Sequence, residues 1–368
     1  MGADVLFGLE KWLRTCYTPP MSRILSGIRP SGDLHLGHYL AAIRQWIDLQ
    51  QTHDVFYMVA DLHAITTPYD PATYQAQVHA TVLNYLALGL DPKKATLFVQ
   101  SHVPAHSELM WLLNTITPYG ELQRMVQFKD WSEKYSDQLT AGILNYPILQ
   151  AADILVYKPA SVPVGEDQVQ HVELARDLAK KFNRLFGQTF PEPQPLLNTG
   201  KRIMSLEDPT SKMSKSENNG LLIQDEPDVI TEKLKKAVTS SEPRVIREAF
   251  AAAIKGHKGT VHNWKGDANL EKQFHGVRNL ASIMLDMAPK DVSDDWSKQA
   301  EEGTLKFSEF KPMLATLISD HFADFRAKRK ELLQDQSYIS SVITDGAARA
   351  SLVANETLKE VQQKMGLR

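Results

Sequence analysis

The first half of the chain alternates short apolar runs with longer stretches in which apolar residues recur at helical spacing. The apolar runs, which predict strands, lie at 24–28, 55–60 and 95–100. The helical stretches that follow them lie at 39–51, 71–90, 108–114 and 121–128. This alternation predicts an α/β fold, a parallel sheet with right-handed crossovers that forms a Rossmann-like nucleotide-binding domain. Ligands of such sheets bind at the carboxyl ends of the strands, and these ends are polar here, at 26–29, 61–63 and 101–102.

Beyond residue 220 the pattern becomes mainly helical, at 231–238, 242–255, 280–287, 307–330 and 338–365. We therefore predict four regions: a sheet domain, a loop that acts as a hinge, a mainly α-helical C-terminal domain, and an N-terminal extension outside the core. Their limits are 23–205, 206–220, 221–368 and 1–22, respectively. The last helix has Leu358, Val361 and Met365 on one side, and we expect it to fold back on the sheet domain.

Residues 146–157 combine a helical apolar pattern with a single polar stripe. Tyr146, Gln150, Asp153 and Tyr157 follow the spacing i, i+4, i+7 and i+11, so they share one face of a helix. The stripe is consistent with a binding surface inside the protein or with the solvated face of a surface helix. We expect Pro147 to lie in the first turn of this helix.

The segment 161–168 predicts a short strand that ends in an acidic turn, and a helix follows to about residue 186. Asp167, near the start of that helix, is either a helix cap or a contact for a ribose. Its place at the end of a nucleotide-binding sheet favours the ribose.

Two further segments carry candidate chemistry. Lys212 and Lys215 lie in the sequence K-M-S-K-S, in a loop that turn-forming residues follow. Two ammonium groups on a loop suit a polyphosphate whose charge moves as a bond breaks, although a solvated basic loop has the same composition. Near the start of the sheet domain, His35, Gly37 and His38 form an H-x-G-H element directly before a predicted helix.

The composition restricts the class of protein. The chain has 368 residues, of which 43% are hydrophobic and 23% are charged, as in ordinary globular proteins. Cys16 is the single cysteine, which excludes an internal disulfide and a cysteine-based metal cluster and favours a cytoplasmic location. No apolar run is long enough to span a membrane. Because the net charge is −3, a nucleic-acid partner would have to be bound by local basic patches.

An H-x-G-H element followed far downstream by K-M-S-K-S is typical of class I aminoacyl-tRNA synthetases, and the chain resembles that class. The segments 60–66, 151–155, 162–168 and 212–216 together resemble bacterial tryptophanyl-tRNA synthetases. The resemblance implies an enzyme that activates L-tryptophan with ATP and Mg²⁺ and transfers it to tRNA(Trp). It also implies a homodimer and a helical domain that binds the anticodon.

The resemblance also implies roles for individual residues, in three groups. Residues expected to promote the chemistry are His35, His38, Lys129, Lys212 and Lys215. Residues expected to bind ATP are Arg29, Ser31, Gly37, His38, Val164, Gly165, Asp167, Lys212, Met213, Ser214 and Lys215. Residues expected to bind tryptophan are Ser26, His63, Tyr146, Gln150, Asp153 and Gln168, with Asp153 accepting the indole N–H.

The sequence departs from the family pattern at two of these positions. Arg29 stands where many bacterial members have glutamine, which leaves the contact with the substrate carboxylate or ATP open. Gln150 stands where a methionine commonly packs on the indole, and this substitution resembles the tyrosyl pattern. A tyrosyl-tRNA synthetase is therefore the main alternative. A small-molecule nucleotidyltransferase and a non-catalytic paralogue are more distant alternatives.

Overall fold

A five-stranded parallel sheet forms the N-terminal half of the protein. The structure is a computed structural model that describes residues 22–30, 33–134, 139–197, 203–211, 213, 220–256 and 267–368. The strands are β1 (Arg23–Ile28), β2 (Asp54–Val59), β3 (Ala95–Val99), β4 (Ser161–Val164) and β5 (Gln194–Leu197). Their order is β3-β2-β1-β4-β5 and every pairing is parallel. The predicted α/β class is therefore confirmed, with helices on both faces and a helical C-terminal region.

The three strands predicted in the first half read as nearly continuous apolar runs because both faces of the sheet are covered. Every residue of β3 is buried, and so is every residue of β2 after Asp54. Strand β5 was not predicted. Its sequence Gln-Pro-Leu-Leu is mostly exposed, lies at the sheet edge and contains Pro195, which a strand tolerates at an edge.

The helices of the sheet region connect these strands. The first, α1, has three consecutive segments, Leu36–His38, the π-helical Tyr39–Ile43 and Arg44–Leu49. The others are α2 (Asp61–Ala64), α3 (Pro71–Ala87), α4 (Ala105–Asn114), α5 (Tyr119–Gln123), α6 (Val126–Lys134), α7 (Ala141–Val156) and α8 (Val169–Phe186). Short 3₁₀ turns follow β3, at Gln100–His102, and β4, at Glu166–Gln168.

The C-terminal region described by the structure is helical. Its helices are α9 (Pro227–Lys236), α10 (Pro243–Lys255), α11 (Ala268–Met287), α12 (Lys290–Glu302), α13 (Phe307–His321), α14 (Ala323–Leu332) and α15 (Gln336–Lys364). The last of them, α15, lies against the sheet. A Cβ atom added to Gly346 would lie 1.7 Å from the Leu97 carbonyl oxygen of β3, so this position has no room for a side chain. Lys158, which follows α7, forms an ion pair of 2.5 Å with Glu360 of α15. This pair is a second contact between α15 and the sheet region.

Three details of the predicted helices are wrong. The regions 121–128 and 307–330 each contain parts of two helices, because the chain turns at Met125 and Phe322 and buries both side chains in the core. Pro147 lies inside α7, not in its first turn. The helix begins earlier because the Thr140 hydroxyl caps it, accepting a hydrogen bond from the Ile143 N–H at 3.3 Å.

Candidate active site

His35 and His38 form one compact unit at the start of α1. Their rings stack with centroids 3.6 Å apart, and each ring Nδ1 accepts a hydrogen bond from the main-chain N–H of the other residue, at 3.3 and 3.4 Å. A Cβ atom at Gly37 would lie 3.0 Å from the His35 ring, which explains the glycine between the histidines. Burial lowers the pKa of His35 to about 4. Burial and the neighbouring His35 lower the pKa of His38 to about 3. Both imidazoles are therefore neutral near pH 7.

The segment that follows the K-M-S-K-S sequence forms main-chain hydrogen bonds with the residues on either side of His35. The Leu36 N–H donates to the Leu221 carbonyl at 2.8 Å, and the Ile223 N–H donates to the Leu34 carbonyl at 3.0 Å. The Met213 side chain is buried in the same apolar core as Leu221 and Ile223. The H-x-G-H element thus lies beside the segment that begins at residue 220, and Leu34 and Leu36 share an apolar core with Met213. Ser31, Lys212, Ser214 and Lys215 lie outside the described residues.

Asp153 lies at the centre of a buried polar cluster. Its side chain is 2% exposed and accepts hydrogen bonds from three side chains on other elements. His63 Nε2 lies 2.7 Å from Oδ2, while Gln100 Nε2 and His106 Nδ1 lie 2.7 and 2.6 Å from Oδ1. Burial by itself would raise the pKa of Asp153, but the attraction and hydrogen bonds of His63 and His106 outweigh it and lower the pKa to about 2. The carboxylate is therefore ionised at neutral pH.

Tyr146 lies on the same face of α7 as Asp153, next to His63. The two rings meet edge to face with centroids 6.3 Å apart. The Tyr146 hydroxyl donates to Gln127 Oε1 at 2.6 Å and lies 3.0 Å from His171 Nε2. Since the hydroxyl proton is used on Gln127, the imidazole is the donor of the second bond. Burial raises the pKa of Tyr146 to about 12, with a smaller lowering effect from Arg29.

Arg29 follows β1 and faces the same space. Although Arg29 is exposed, the protein atoms around its guanidinium lower its pKa by desolvation, while the nearby Tyr146 and Tyr74 raise it. Arg29 forms no hydrogen bond or ion pair within the part of the chain that the structure describes, and guanidinium groups stay charged in proteins. A free cation thus lies beside Tyr146.

The residues after β4 form a chain of weak hydrogen bonds toward the solvent. Gln150 Nε2 donates to Gln168 Oε1 at 3.3 Å, and Gln168 Nε2 donates to Asp167 Oδ2 at 3.3 Å. Asp167 is exposed, and Val164 is buried at the end of β4. A Cβ atom at Gly165 would lie 2.8 Å from Asp167 Oδ1, so a side chain there would displace the Asp167 carboxylate from its present position.

The burial of α7 decides how its polar stripe is interpreted. Tyr146, Asp153 and Tyr157 are buried and Gln150 is half-buried, so the stripe is not the solvated face of a surface helix. Two other predicted residues lie further out. The Ser26 hydroxyl donates to the Pro163 carbonyl at 3.3 Å, and Lys129 is exposed on α6.

Four residues of this site were missed in the sequence. They are Gln100, His106, Gln127 and His171. Gln100 was within reach of sequence reasoning, because it directly follows β3 at the polar edge of the sheet. His106, Gln127 and His171 lie on helices, and nothing in their local spacing indicates a shared contact.

Known proteins that resemble this chain agree with the geometry. The family of class I tRNA synthetases for tryptophan and tyrosine matches residues 20–273. A tryptophan–tRNA ligase of Caldanaerobacter subterraneus subsp. tengcongensis is 44% identical over 351 residues, 94% of this chain and 99% of that protein. Tryptophan–tRNA ligase 2 of Streptomyces avermitilis is 42% identical over 94% of this chain and 96% of its own length. The chain belongs to the tryptophanyl-tRNA synthetase family. The resemblance drawn from the motifs is confirmed.

Solved structures place the synthetase in the same family. The tryptophanyl-tRNA synthetase of Campylobacter jejuni complexed with ADP and tryptophan has a TM-score of 0.74 and 31% identity, over 94% of this chain and 100% of that one. Tyrosyl-tRNA synthetase of Archaeoglobus fulgidus shares the fold, with a TM-score of 0.62 and 19% identity over 87% of this chain and 94% of that one. Across the described residues, no group of three or more His, Cys, Asp or Glu side chains is placed to hold a metal ion. None of the helices in those parts of the chain is both long enough and apolar enough to cross a bilayer.

Proposed function

We propose that this protein activates L-tryptophan with ATP, forming tryptophanyl-adenylate and pyrophosphate, and then transfers tryptophan to the 3′ end of tRNA(Trp). The single observation that carries the choice of amino acid is the ionised, buried carboxylate of Asp153. His63, Gln100 and His106 occupy most of its acceptor sites, and the site that remains among the described residues suits a donor from the ligand. The indole ring of tryptophan offers one N–H and no acceptor. Relatives at 40–44% identity carry the name tryptophan–tRNA ligase.

The polar end of the amino acid fits the groups around Tyr146. The Tyr146 oxygen donates to Gln127 and accepts from His171, which leaves one acceptor site for an ammonium group. Gln168 supplies a second polar contact. The free guanidinium of Arg29 suits the carboxylate of tryptophan or the α-phosphate to which it becomes attached, with Ser26 at the same end of the pocket.

The ATP side of the site is built on the unit of His35, Gly37 and His38. Two neutral imidazoles and the start of α1 offer hydrogen bonds to adenine and the α-phosphate without adding charge. Val164, Gly165 and Asp167 suit the adenine and ribose. Lys129 and the loop that carries Lys212, Met213, Ser214 and Lys215 would neutralise the triphosphate as pyrophosphate leaves. Ser31 would lie beside the phosphates.

The chemistry requires no nucleophile from the protein. The carboxylate oxygen of tryptophan attacks the α-phosphorus, the bond to the bridging oxygen of pyrophosphate breaks, and the terminal ribose hydroxyl of tRNA later displaces AMP. Catalysis is then positioning plus electrostatic stabilisation of a phosphoryl transition state, with Mg²⁺ brought in on the phosphates of ATP. The phosphates would supply most of the ligands of that ion.

The tyrosyl alternative rests on Gln150, which would have to join Asp153 in binding a phenol hydroxyl. Gln150 Nε2 is instead engaged with Gln168, at 3.3 Å, and the donors around Asp153 come from other elements. This arrangement favours tryptophan.

The remaining parts of the proposal concern partners. We assign residues 221–368 to tRNA binding at the anticodon end, and we place the enzyme in the cytoplasm. Three consecutive helices of the sheet domain, α4, α5 and α6, each expose a large apolar residue: Trp111 and Tyr119 at 63% and Val126 at 56%. Exposed residues of this size support a homodimer formed through these helices.

Pyrophosphate exchange with each aromatic amino acid in turn tests the proposal. Exchange with tryptophan, and far less with tyrosine or phenylalanine, is the expected result. Preference for tyrosine would replace the proposal by the tyrosyl alternative. Absence of exchange with every amino acid, in a protein that still binds tryptophan or tRNA, would favour a non-catalytic paralogue.

A further inference from the structure

The carboxylate of Asp153 is almost completely occupied before any ligand binds. An ionised carboxylate has about four acceptor sites on its two oxygens. Among the residues that the structure describes, Gln100 and His106 take both sites of Oδ1, and His63 takes one site of Oδ2. A single acceptor site therefore remains, and it is on Oδ2.

His106 is fixed by hydrogen bonds at both ring nitrogens. It is completely buried, with Nδ1 2.6 Å from Asp153 Oδ1 and Nε2 2.8 Å from the Tyr157 hydroxyl. Since an ionised carboxylate can only accept, Nδ1 of His106 must be the donor. In the neutral imidazole Nε2 then accepts from the Tyr157 hydroxyl. Tyr157, also completely buried, thus selects the tautomer in which His106 can donate to Asp153.

Gln100 is oriented in a comparable way. Its Nε2 donates to Asp153 Oδ1 at 2.7 Å, and its Oε1 accepts from the main-chain N–H of Leu62 at 3.1 Å. Leu62 directly precedes His63, the donor to the other carboxylate oxygen. Groups from three separate elements therefore fix the orientation of the Asp153 carboxylate about its Cβ–Cγ bond.

We propose that His106, with its tautomer set by Tyr157, is a positioning residue for amino-acid selection: it keeps Oδ1 of Asp153 occupied, so that the remaining acceptor of Oδ2 is presented to a ligand N–H at one place. The proposal rests on the proposed function of Asp153 as the acceptor of the indole N–H. Neither His106 nor Tyr157 needs to contact the amino acid. Without the donor on Oδ1 the carboxylate can rotate, and an O–H or N–H donor can approach in more than one direction.

The test uses three variants and a matched control in the full-length protein. Tyr157→Phe removes the hydroxyl that sets the tautomer. His106→Leu removes the donor, and His106→Asn keeps an N–H close to the position of Nδ1. The control is Tyr57→Phe. Tyr57 is equally buried, its hydroxyl donates to the Trp46 carbonyl at 2.9 Å, and it belongs to the core on the opposite face of the sheet.

The readouts are kcat and KM for tryptophan, tyrosine and phenylalanine in pyrophosphate exchange, together with KM for ATP. We expect Tyr157→Phe to lower kcat/KM for tryptophan by about tenfold, mainly through KM, because a hydrogen bond to a charged group is lost. We expect a larger loss in His106→Leu and partial recovery in His106→Asn. Phenylalanine offers no donor to Asp153, so its activation should change little and the tryptophan preference should fall. KM for ATP should stay within about twofold.

Each outcome decides a different statement. If Tyr157→Phe and His106→Leu keep the wild-type preference for tryptophan, the positioning role is overturned. The proposed function still stands in that case, because the wild-type enzyme prefers tryptophan. Equal losses in Tyr157→Phe and the Tyr57→Phe control also overturn it, because they would reflect general weakening of the fold. A wild-type enzyme that does not prefer tryptophan overturns the proposed function and the positioning role together. If His106→Leu does not fold, Tyr157→Phe and His106→Asn decide by the same criteria.

Discussion

Asn279 holds the main chain of Met204 through two hydrogen bonds. Its side-chain Oδ1 accepts from the Met204 N–H at 2.9 Å, and its Nδ2 donates to the Met204 carbonyl at 2.8 Å. Asn279 is buried in α11, within the helical region, whereas Met204 leads into the segment that carries the K-M-S-K-S sequence. Only an amide side chain supplies a donor and an acceptor at this spacing. The helical region is thus tied to the chain at Met204, which precedes the K-M-S-K-S sequence.

We expect Asn279→Ala to lower the free energy of unfolding by about 1–3 kcal/mol, because it leaves a donor and an acceptor of the main chain without partners. Asn279→Asp retains the acceptor but places a carboxylate against the Met204 carbonyl, so it should also destabilise. Urea unfolding monitored by circular dichroism measures both. Asn269→Ala, an exposed asparagine in the first turn of the same helix, is the control. Equal unfolding free energies for Asn279→Ala and this control would show that the contact with Met204 has no energetic role.

The sequence was sufficient for strands β1 to β4 of the sheet. The apolar runs of β2 and β3 are long enough to identify strands buried on both faces, whereas β1 has a shorter buried run at Ile24 and Leu25. Strand β5 has no such run, since Pro195 and partial exposure make it look like a loop. The position of Pro147 was misjudged because a proline suits a first turn, while the actual start depends on the Thr140 cap.

The candidate site was predictable as a set of residues on one helix but not as a network. The helical spacing of Tyr146, Asp153 and Tyr157 correctly predicts a shared face. The donors to Asp153, however, come from positions 90, 53 and 47 residues away in the sequence. Such contacts depend on how α4 and the end of β3 pack against α7, which local patterns do not encode.

The low pKa values of His35 and His38 predict a pH dependence of stability. In the unfolded chain a histidine has a pKa of about 6.5, whereas the folded protein lowers the pKa of His35 to about 4 and that of His38 to about 3. Between these pH values the unfolded state therefore binds more protons than the folded state. The free energy of unfolding should therefore fall as the pH decreases below about 6.5. One fully coupled histidine contributes a slope of roughly 1.4 kcal/mol per pH unit.

We expect His38→Asn to reduce this slope between about pH 6 and pH 4.5. Urea unfolding at several pH values in this range measures it. His102→Asn, an exposed histidine after β3, is the matched substitution and should leave the slope closer to that of the wild type. If His38→Asn has the wild-type slope, the imidazole of His38 is not kept neutral by the fold.

The exposed aromatic residues of α4 and α5 allow a test of the proposed homodimer. If the proposed dimer forms through these helices, Trp111→Glu should dissociate it, because a carboxylate in an apolar interface loses its hydration without a partner. Leu352→Glu is the control, since Leu352 is 74% exposed on α15, a helix outside the three assigned to the interface. Sedimentation velocity at micromolar concentration distinguishes the two. A wild-type protein that sediments as an active monomer would contradict the dimer.

The lysines of the K-M-S-K-S sequence are expected to affect the rate of adenylate formation and not the affinity for tryptophan. We expect Lys215→Ala to slow adenylate formation on the order of a hundredfold, roughly 3 kcal/mol, because a charge-assisted contact made in the transition state is lost. Tryptophan affinity should change little. Single-turnover activation and equilibrium binding measure the two quantities separately. Weakened tryptophan binding at an unchanged activation rate would assign the loop to ground-state binding.

Asp153→Asn is the sharpest test of the selection role proposed for Asp153, because it keeps the shape of the side chain and removes its charge. The amide oxygen can still accept from Gln100 and His106, but the amide NH₂ then occupies the place of Oδ2. An indole N–H would meet a donor there instead of an acceptor. We therefore expect tryptophan activation to fall by about 1–3 kcal/mol, roughly 5- to 150-fold, at a nearly unchanged KM for ATP.

The same substitution should affect tyrosine in the opposite direction. A phenol oxygen can accept from the new amide NH₂, so the preference for tryptophan over tyrosine should narrow, provided that the pocket admits the phenol ring. Phenylalanine, which has neither donor nor acceptor on its ring, supplies the reference for general damage to the pocket. Activation kinetics of wild type and Asp153→Asn with the three amino acids give all these comparisons. A variant with wild-type tryptophan kinetics would mean that the buried carboxylate stabilises the fold but does not select the amino acid.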